Sequence, residues 1–228
     1  MKVMEKDRKV IILGDSAFAE IAYEYFTYDS NYEVVAFSVE REFLKRKSLF
    51  ALPVVPFERL EETYAPSEHD VYAAMVYTQL NRLRTRLSLR AKEKGYRLAS
   101  YVSSKAFVWR NVEIGEHCFI FEDNTVQPFV KLGNNVVLWS GNHIGHHSTI
   151  KDNCFVSSQV VISGFVEVGE NCFLGVNSTI VNNVKIGRDC WLGPNVTIVK
   201  DTPDATFFKP GPSPTSSLST LERFKILE

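Results

Sequence analysis

The chain has almost no net charge: 26 lysines and arginines stand against 27 aspartates and glutamates. That balance gives no electrostatic basis for holding nucleic acid or an anionic membrane surface. No apolar run approaches the roughly 18 residues of a membrane-spanning helix, and "MKVMEKDRKV" does not resemble a secretory leader. The expectation is a soluble, cytoplasmic protein with no membrane or nucleic-acid partner. Cysteine is scarce, at four residues, and no two stand in a C-x-x-C spacing, so no zinc ribbon or dithiol redox pair is written into the chain. Disulfides are not expected in that compartment. The strict dinucleotide fingerprint is also missing. After "KVIILG", Ala17 and Ala19 stand where further glycines would be expected, which disfavours a conventional NAD role.

What the chain has instead is a period. From Val102 to Ile198 every sixth residue is aliphatic, through Val108, Ile114, Ile120 and onward, with no position missed. A helix needs a period near 3.6 and a simple strand one near 2. A fixed period of six over this length reads as a hexapeptide β-helix. Cys118, Cys154, Cys172 and Cys190 are spaced by six, three and three hexads, and each precedes an aromatic residue. Three hexads therefore close one coil of a three-sided solenoid, with coils stacked about 4.8 Å apart. Each cysteine stands two residues before an aliphatic position, so it points inward with it and acts as a small hydrophobe rather than a ligand.

Residues 9 to 102 alternate between strand and helix patterns: "KVIILG", "DSAFAEIAYEYF", "YEVVAFSV", "LPVVPFERLEE", "HDVYAAMVY", "QLNRLRTRLSLRAKEKG" and "YRLASYV". Such alternation implies a parallel sheet with right-handed crossovers, a small Rossmann-like α/β domain. Ligands of such sheets bind beyond the carboxyl ends of the strands. Gly14, Asp15 and Ser16 occupy the first such turn, at a helix N-terminus suited to the phosphates of a nucleotide or nucleotide-sugar diphosphate. Arg82, Arg84, Arg86 and Arg90 read as a solvated helix face.

The chemistry is expected where the solenoid departs from its pattern. "SGNHIGHHSTIKDN" holds three of the five histidines, His143, His146 and His147. Asn142 takes an inward position one coil after Asn124, so the two are expected to stack and share hydrogen bonds. His146 and Gly164 each lie two residues after an aliphatic position and are three hexads apart. They should share one edge of adjacent coils, about 5 Å apart. Histidine suits general-base work near neutrality. A glycine presents its N–H without obstruction, and a base beside a backbone donor is what acyl transfer needs.

With these residues, the chain resembles the NeuD/PglD-type sugar acyltransferases. The likeness runs from "VIILGDSAFAEIAYEYF" through "LASYVSSKAFVWRNVEIGEH" to "DCWLGPNVTIV". It implies an α/β Rossmann-like domain followed by a left-handed parallel β-helix of hexapeptide repeats. It also implies a homotrimer with active sites at subunit interfaces, acetyl-CoA along the solenoid as cosubstrate, and a nucleotide-linked sugar held partly by the N-terminal domain. The family's catalytic histidine falls on His146. Its glycine that donates an N–H to the thioester carbonyl falls on Gly164, and Gly175 lies along the expected coenzyme groove. Where the family often has an acidic residue, this chain has His147.

The expected organisation is a nucleotide-sugar-binding domain over 1–102, a β-helix over 103–201 and a loop or tail over 202–228. The expected function is acetyl transfer by direct attack, with His146 and His147 catalytic. Asn142 and His143 are expected to shape the acceptor pocket, and no metal is expected. Two other classes stay open: a zinc enzyme of γ-carbonic-anhydrase type, and a noncatalytic scaffold.

Overall fold

The computed structural model describes residues 5–212 and 215–226. Six strands and three helices form the first domain: β1 (Arg8–Leu13), α1 (Ala17–Tyr28), β2 (Tyr32–Val39), β3 (Ser48–Leu49), β4 (Leu52–Pro56), α2 (Leu60–Thr63), β5 (His69–Ala73), α3 (Arg82–Glu93) and β6 (Arg97–Leu98). The sheet order is β3-β4-β2-β1-β5-β6. Every pairing is parallel except β3 with β4. The apolar run of β1 is buried on both faces, as a central parallel strand requires. The strand order reverses between β1 and β5, which places the expected ligand crevice beside Gly14.

The hexads form a left-handed parallel β-helix. Each hexad contributes a two-residue rung and a corner. Rungs one coil apart pair in parallel, as Phe119 does with Val137 and His143 with Val161. Three sheets of seven, six and five strands make the three faces. Aliphatic residues and all four cysteines fill the interior; the cysteines are free and fully buried. Most corners contain one residue of left-handed φ, and asparagine, aspartate, histidine or glutamine usually takes it, as at Asn135 (φ 57°) and Asp189 (φ 60°). These types tolerate that region.

The three faces differ outside. The first presents aromatic residues: Tyr101, Phe119, Phe155, Phe173, Trp191 and Phe207. Helix α1 covers the first rungs of this face, packing Phe18 and Phe26 against Phe119 and Phe121, and Tyr77 lies against Phe155, Phe173 and Trp191 further along. The second carries Phe107, Thr125, His143, Val161, Thr179 and Thr197, and the third carries charged residues such as Glu113, Lys131, Glu167 and Lys185.

Two boundaries differ from the sequence reading. "YRLASYV" is two strands: Arg97–Leu98 ends the α/β sheet, and Tyr101–Val102 is already the first rung of the solenoid. The change of sheet comes at Ser100, where the hydrophobic pattern continues but the pairing partner changes. The expected tail also begins as solenoid. Thr202 bridges Ile186, and Phe207–Phe208 pairs with Trp191–Leu192 as a further rung of the first face. The hexad count does not reveal this rung, because Thr202 stands two positions short of a full coil after Ile186. A short capped helix, α4 (Thr220–Phe224), follows; residues 213–214 and 227–228 lie outside the described part.

The solvated-face reading of α3 fails at Arg84. Its side chain is fully buried at the junction of the domains and donates to six uncharged acceptors. Nε reaches Asn135 Oδ1, Nη1 reaches Met75 O, Val76 O and Asn81 Oδ1, and Nη2 reaches Asn135 O and Cys154 O. Burial pushes its pKa down to about 10, so it remains charged at neutrality. Arg82 pairs with Asp189 of the solenoid, and Arg86 and Arg90 pair with Glu40.

His117 completes the junction. Its Nε2 accepts from Ala73 N at 2.9 Å, so Nδ1 carries the proton and donates to Asn135 Oδ1 at 2.7 Å. Burial pushes its pKa down to about 3. The unfolded chain protonates this residue near pH 6.5 while the folded one does not, so the stability it contributes is present above that pH and lost as pH falls. Between pH 7.5 and 5 the loss from this group alone is about 2 kcal/mol. Chemical denaturation at those two pH values is expected to show a drop larger by about that amount in the native chain than in His117→Gln.

Candidate functional site

The edge between the second and third faces carries one column of residues, each a full coil after the last: Pro128, His146, Gly164, Asn182 and Lys200. The structure brings His146 and Gly164 together as the repeat register predicts. A Cβ on Gly164 would lie 2.7 Å from His146 Cε1 and 2.9 Å from its Nε2. The imidazole is thus laid directly over the glycine, and any larger residue there would displace it. His146 is exposed, its backbone N–H is held by Gln127 Oε1 at 2.9 Å, and its Nε2 has no hydrogen-bond partner among the described residues.

His147 lies in the next column, in the left-handed corner position (φ 58°). Its Nδ1 is 3.2 Å from His146 Nδ1. The ring stacks on Phe129 at a centroid distance of 4.6 Å and on Phe165 at 4.8 Å. Phe165 also meets the His146 ring edge-on. Neither phenylalanine stands among the expected site residues, although both carry a signal in the sequence. They stand at the corner positions one coil before and one coil after His147, where other corners have mostly asparagine or aspartate.

The remaining predicted residues lie elsewhere, or are already engaged. The Gly164 N–H, expected to be free for a ligand, donates to Asn182 Oδ1 at 2.8 Å. Asn182 is exposed, so this partner can be exchanged for another acceptor. Asn142 is buried inside the coil, accepting from Val160 N and donating to Trp139 O. Asn124 donates to the same carbonyl, so the two asparagines share an acceptor rather than bonding each other. His143 is exposed on the second face between Thr125 and Val161, one rung position before the edge. Gly175 lies on the other border of the second face, packed against the backbone of Gly193. Among the described residues no group of three or more His, Cys, Asp or Glu is placed to hold a metal ion.

In the first domain, Gly14, Asp15 and Ser16 line a cavity with Glu40, Phe43, Phe57, Met75, Leu83 and Leu87. Gly14 has a φ of 117°, and a Cβ there would strike Met75. Ser16 caps α1 without a side-chain hydrogen bond to the helix among the described residues. Asp15 pairs with Arg46 at 3.3 Å. Glu40 is held below the usual carboxylate range, chiefly by its hydrogen bond from Arg86. Two members of the arginine-rich helix therefore reach the rim of this cavity, through Glu40.

Residues 129–164 and 147–182 match the family pattern described as bacterial transferase hexapeptide (six repeats), and 165–200 match the hexapeptide repeat of succinyl-transferase. No curated protein matches the chain in sequence. Among solved structures, the acetyltransferase domain of PglB from Neisseria gonorrhoeae is 22% identical, with 88% of this chain and 96% of that one covered and a TM-score of 0.77. PerB from Caulobacter crescentus, solved with CoA and GDP-perosamine, is 22% identical, covering 87% and 92%, with a TM-score of 0.77. WeeI from Acinetobacter baumannii is 17% identical, covering 88% and 96%, with a TM-score of 0.68. The chain shares the two-domain fold of these proteins. No helix among the described residues is long and apolar enough to cross a membrane.

Proposed function

We propose that this protein is an acetyl-CoA-dependent acetyltransferase that acts on an amino or hydroxyl group of a nucleotide-linked sugar. The observation that carries the reading is the seating of His146: an exposed imidazole with its Nε2 unbonded among the described residues, laid over Gly164 one coil on. A ring held in that way can take a proton from a nucleophile arriving along the edge. The nucleophile then attacks the thioester carbon directly, and the carbonyl oxygen becomes an oxyanion. Gly164 N–H is the nearby donor suited to it, once the carbonyl displaces the Asn182 amide oxygen. A covalent acyl-enzyme on sulfur is disfavoured by geometry, because all four thiols are buried; burial pushes that of Cys118 up to about 11.

The acceptor needs two sites that lie on different sides of the solenoid in one chain. The α/β domain covers the first face, whereas His146 lies on the edge opposite that face. A nucleotide seated beside Gly14, Asp15 and Ser16 therefore reaches a base on another copy. The exposed Phe107, Trp109, Phe129, Val161 and Phe165 on and beside the second face give that copy an apolar surface to pack on. A homotrimer with sites between subunits fits this arrangement, with acetyl-CoA along the Gly175 border as part of the same proposal. CoA and GDP-perosamine in the PerB structure support the same pair of ligands here.

Ligand-dependent melting tests the binding half of the reading. Coenzyme A at a hundred times its Kd stabilises by about 2.7 kcal/mol, which for a chain of this size raises Tm by roughly 5–10 °C. No shift at millimolar coenzyme A would leave a noncatalytic scaffold as the better description.

A further inference from the structure

The His146–His147 contact has a chemical consequence of its own. Two nitrogens 3.2 Å apart share one proton, so one Nδ1 donates and the other accepts. If His147 donated, His146 would be left with its proton on Nε2 and could not act as a base there. The productive arrangement has His146 Nδ1–H donating to His147 Nδ1, with the His147 proton on Nε2. Among the described residues neither ring bonds a carboxylate or a cation. Charged groups on the neighbouring rungs, Lys131 and Lys151 with their partners Glu113 and Glu167, pair with each other on the third face. On the second face the neighbouring titratable group is His143.

The ring of His147 is held by two residues that the fold itself does not favour. Phe129 (φ 65°) and Phe165 (φ 58°) adopt the left-handed corner conformation, which is costly for a bulky side chain. Among the described residues they are the only phenylalanines at solenoid corners of positive φ, and they lie on either side of His147. Two parallel ring faces fix the plane of the imidazole and can make cation–π contacts to an imidazolium formed there. Neither effect is needed for a histidine that only fills a corner.

We propose that His147 is a proton-relay partner: charge taken up by His146 passes to His147 and is held between Phe129 and Phe165. The proposal rests on His146 being the base of the acyl transfer. As the acceptor's nitrogen or oxygen bonds to the thioester carbon, its proton goes to His146 Nε2. The His146 Nδ1 proton moves to His147 Nδ1, so His147 becomes the imidazolium. When the C–S bond breaks, the protons run back: Nδ1–H returns to His146, and the Nε2 proton goes to the coenzyme A thiolate. The two rings end as they began, and no outside acid or base is consumed.

The test uses full-length protein labelled with [15N]histidine, assigned through His146→Ala and His147→Phe. At pH 8 the expected spectrum shows His146 as the Nδ1–H tautomer, reverting to Nε2–H in His147→Phe. His146 protonated on Nε2 in the native chain, or unmoved by His147→Phe, would overturn the relay. On thiol release from acetyl-CoA, His147→Phe is expected to lower kcat by about a hundredfold with KM for acetyl-CoA unchanged. His147→Glu is expected to retain turnover, with its acid limb moved to higher pH because a carboxylate raises the basicity of its neighbour. It also serves as the reference should the phenylalanine variant melt early. Loss of turnover in His146→Ala but not in His147→Phe would remove the relay and leave the base. Full turnover in His146→Ala would remove the base itself, whatever the spectra show.

Discussion

Replacing His146 by alanine is expected to lower turnover with acetyl-CoA by about 10²–10⁴-fold, the span associated with losing a general base. The protein should melt at its ordinary temperature, because the side chain is exposed and, among the described residues, makes one side-chain hydrogen bond, to His147. That separation of activity from stability marks a chemical role rather than a packing one. Gly164→Ala is the informative companion. The added methyl would sit 2.7 Å from His146 Cε1, so the imidazole must move. Turnover should fall although every polar group remains present.

Arg84→Met is expected to have the opposite profile, a large loss of stability with the catalytic edge untouched. The substitution fills much of the same volume but removes the donors to six acceptors at the domain junction. The buried Asn135 carbonyl and Asn81 Oδ1 have no other donor among the described residues, whereas the Cys154 carbonyl keeps the Val137 N–H. At about 1–3 kcal/mol for each abandoned group, the expected loss is on the order of 3–5 kcal/mol, or roughly 6–20 °C in Tm. Arg84→Lys should not restore it, because an ammonium cannot reproduce the planar fork that reaches Asn135, Cys154 and Met75 together. Thermal melting of the two variants beside the native chain reads this out. Equal stability of all three would mean that the junction does not depend on the guanidinium.

The solenoid is legible because its constraint is local and repeated. Each coil buries an aliphatic residue in one place, so the period survives in the sequence. The same arithmetic places His146 over Gly164. Carried one coil further, it places Asn182 over Gly164 in turn. The Gly164 N–H reads as free only while the donor is considered without that next coil. Arg84 is illegible for another reason. A helical arginine is solvated or buried according to what packs on it, and here that is the carbonyl-rich corner of another domain, far along the chain. Asn142 shows the reverse: a polar residue beside a histidine cluster reads as part of the acceptor pocket, whereas its inward register places it in the buried interior of the coil. Phe129 and Phe165 escape a sequence reading because aromatic residues at a corner look like surface scatter. Their meaning appears only with the left-handed φ of the position and the ring of His147 between them.

The most direct test of acyl transfer is thiol release from acetyl-CoA measured against a panel of UDP-, GDP- and dTDP-linked sugars, with and without a free amino group. Product mass is read in the same reactions. The expected result is release that depends on one acceptor class, a product heavier by one acetyl group, and loss of both in His146→Ala. Thiol release without an acetylated product, or acetylation that persists in His146→Ala, would contradict the assignment of this edge as the site of transfer.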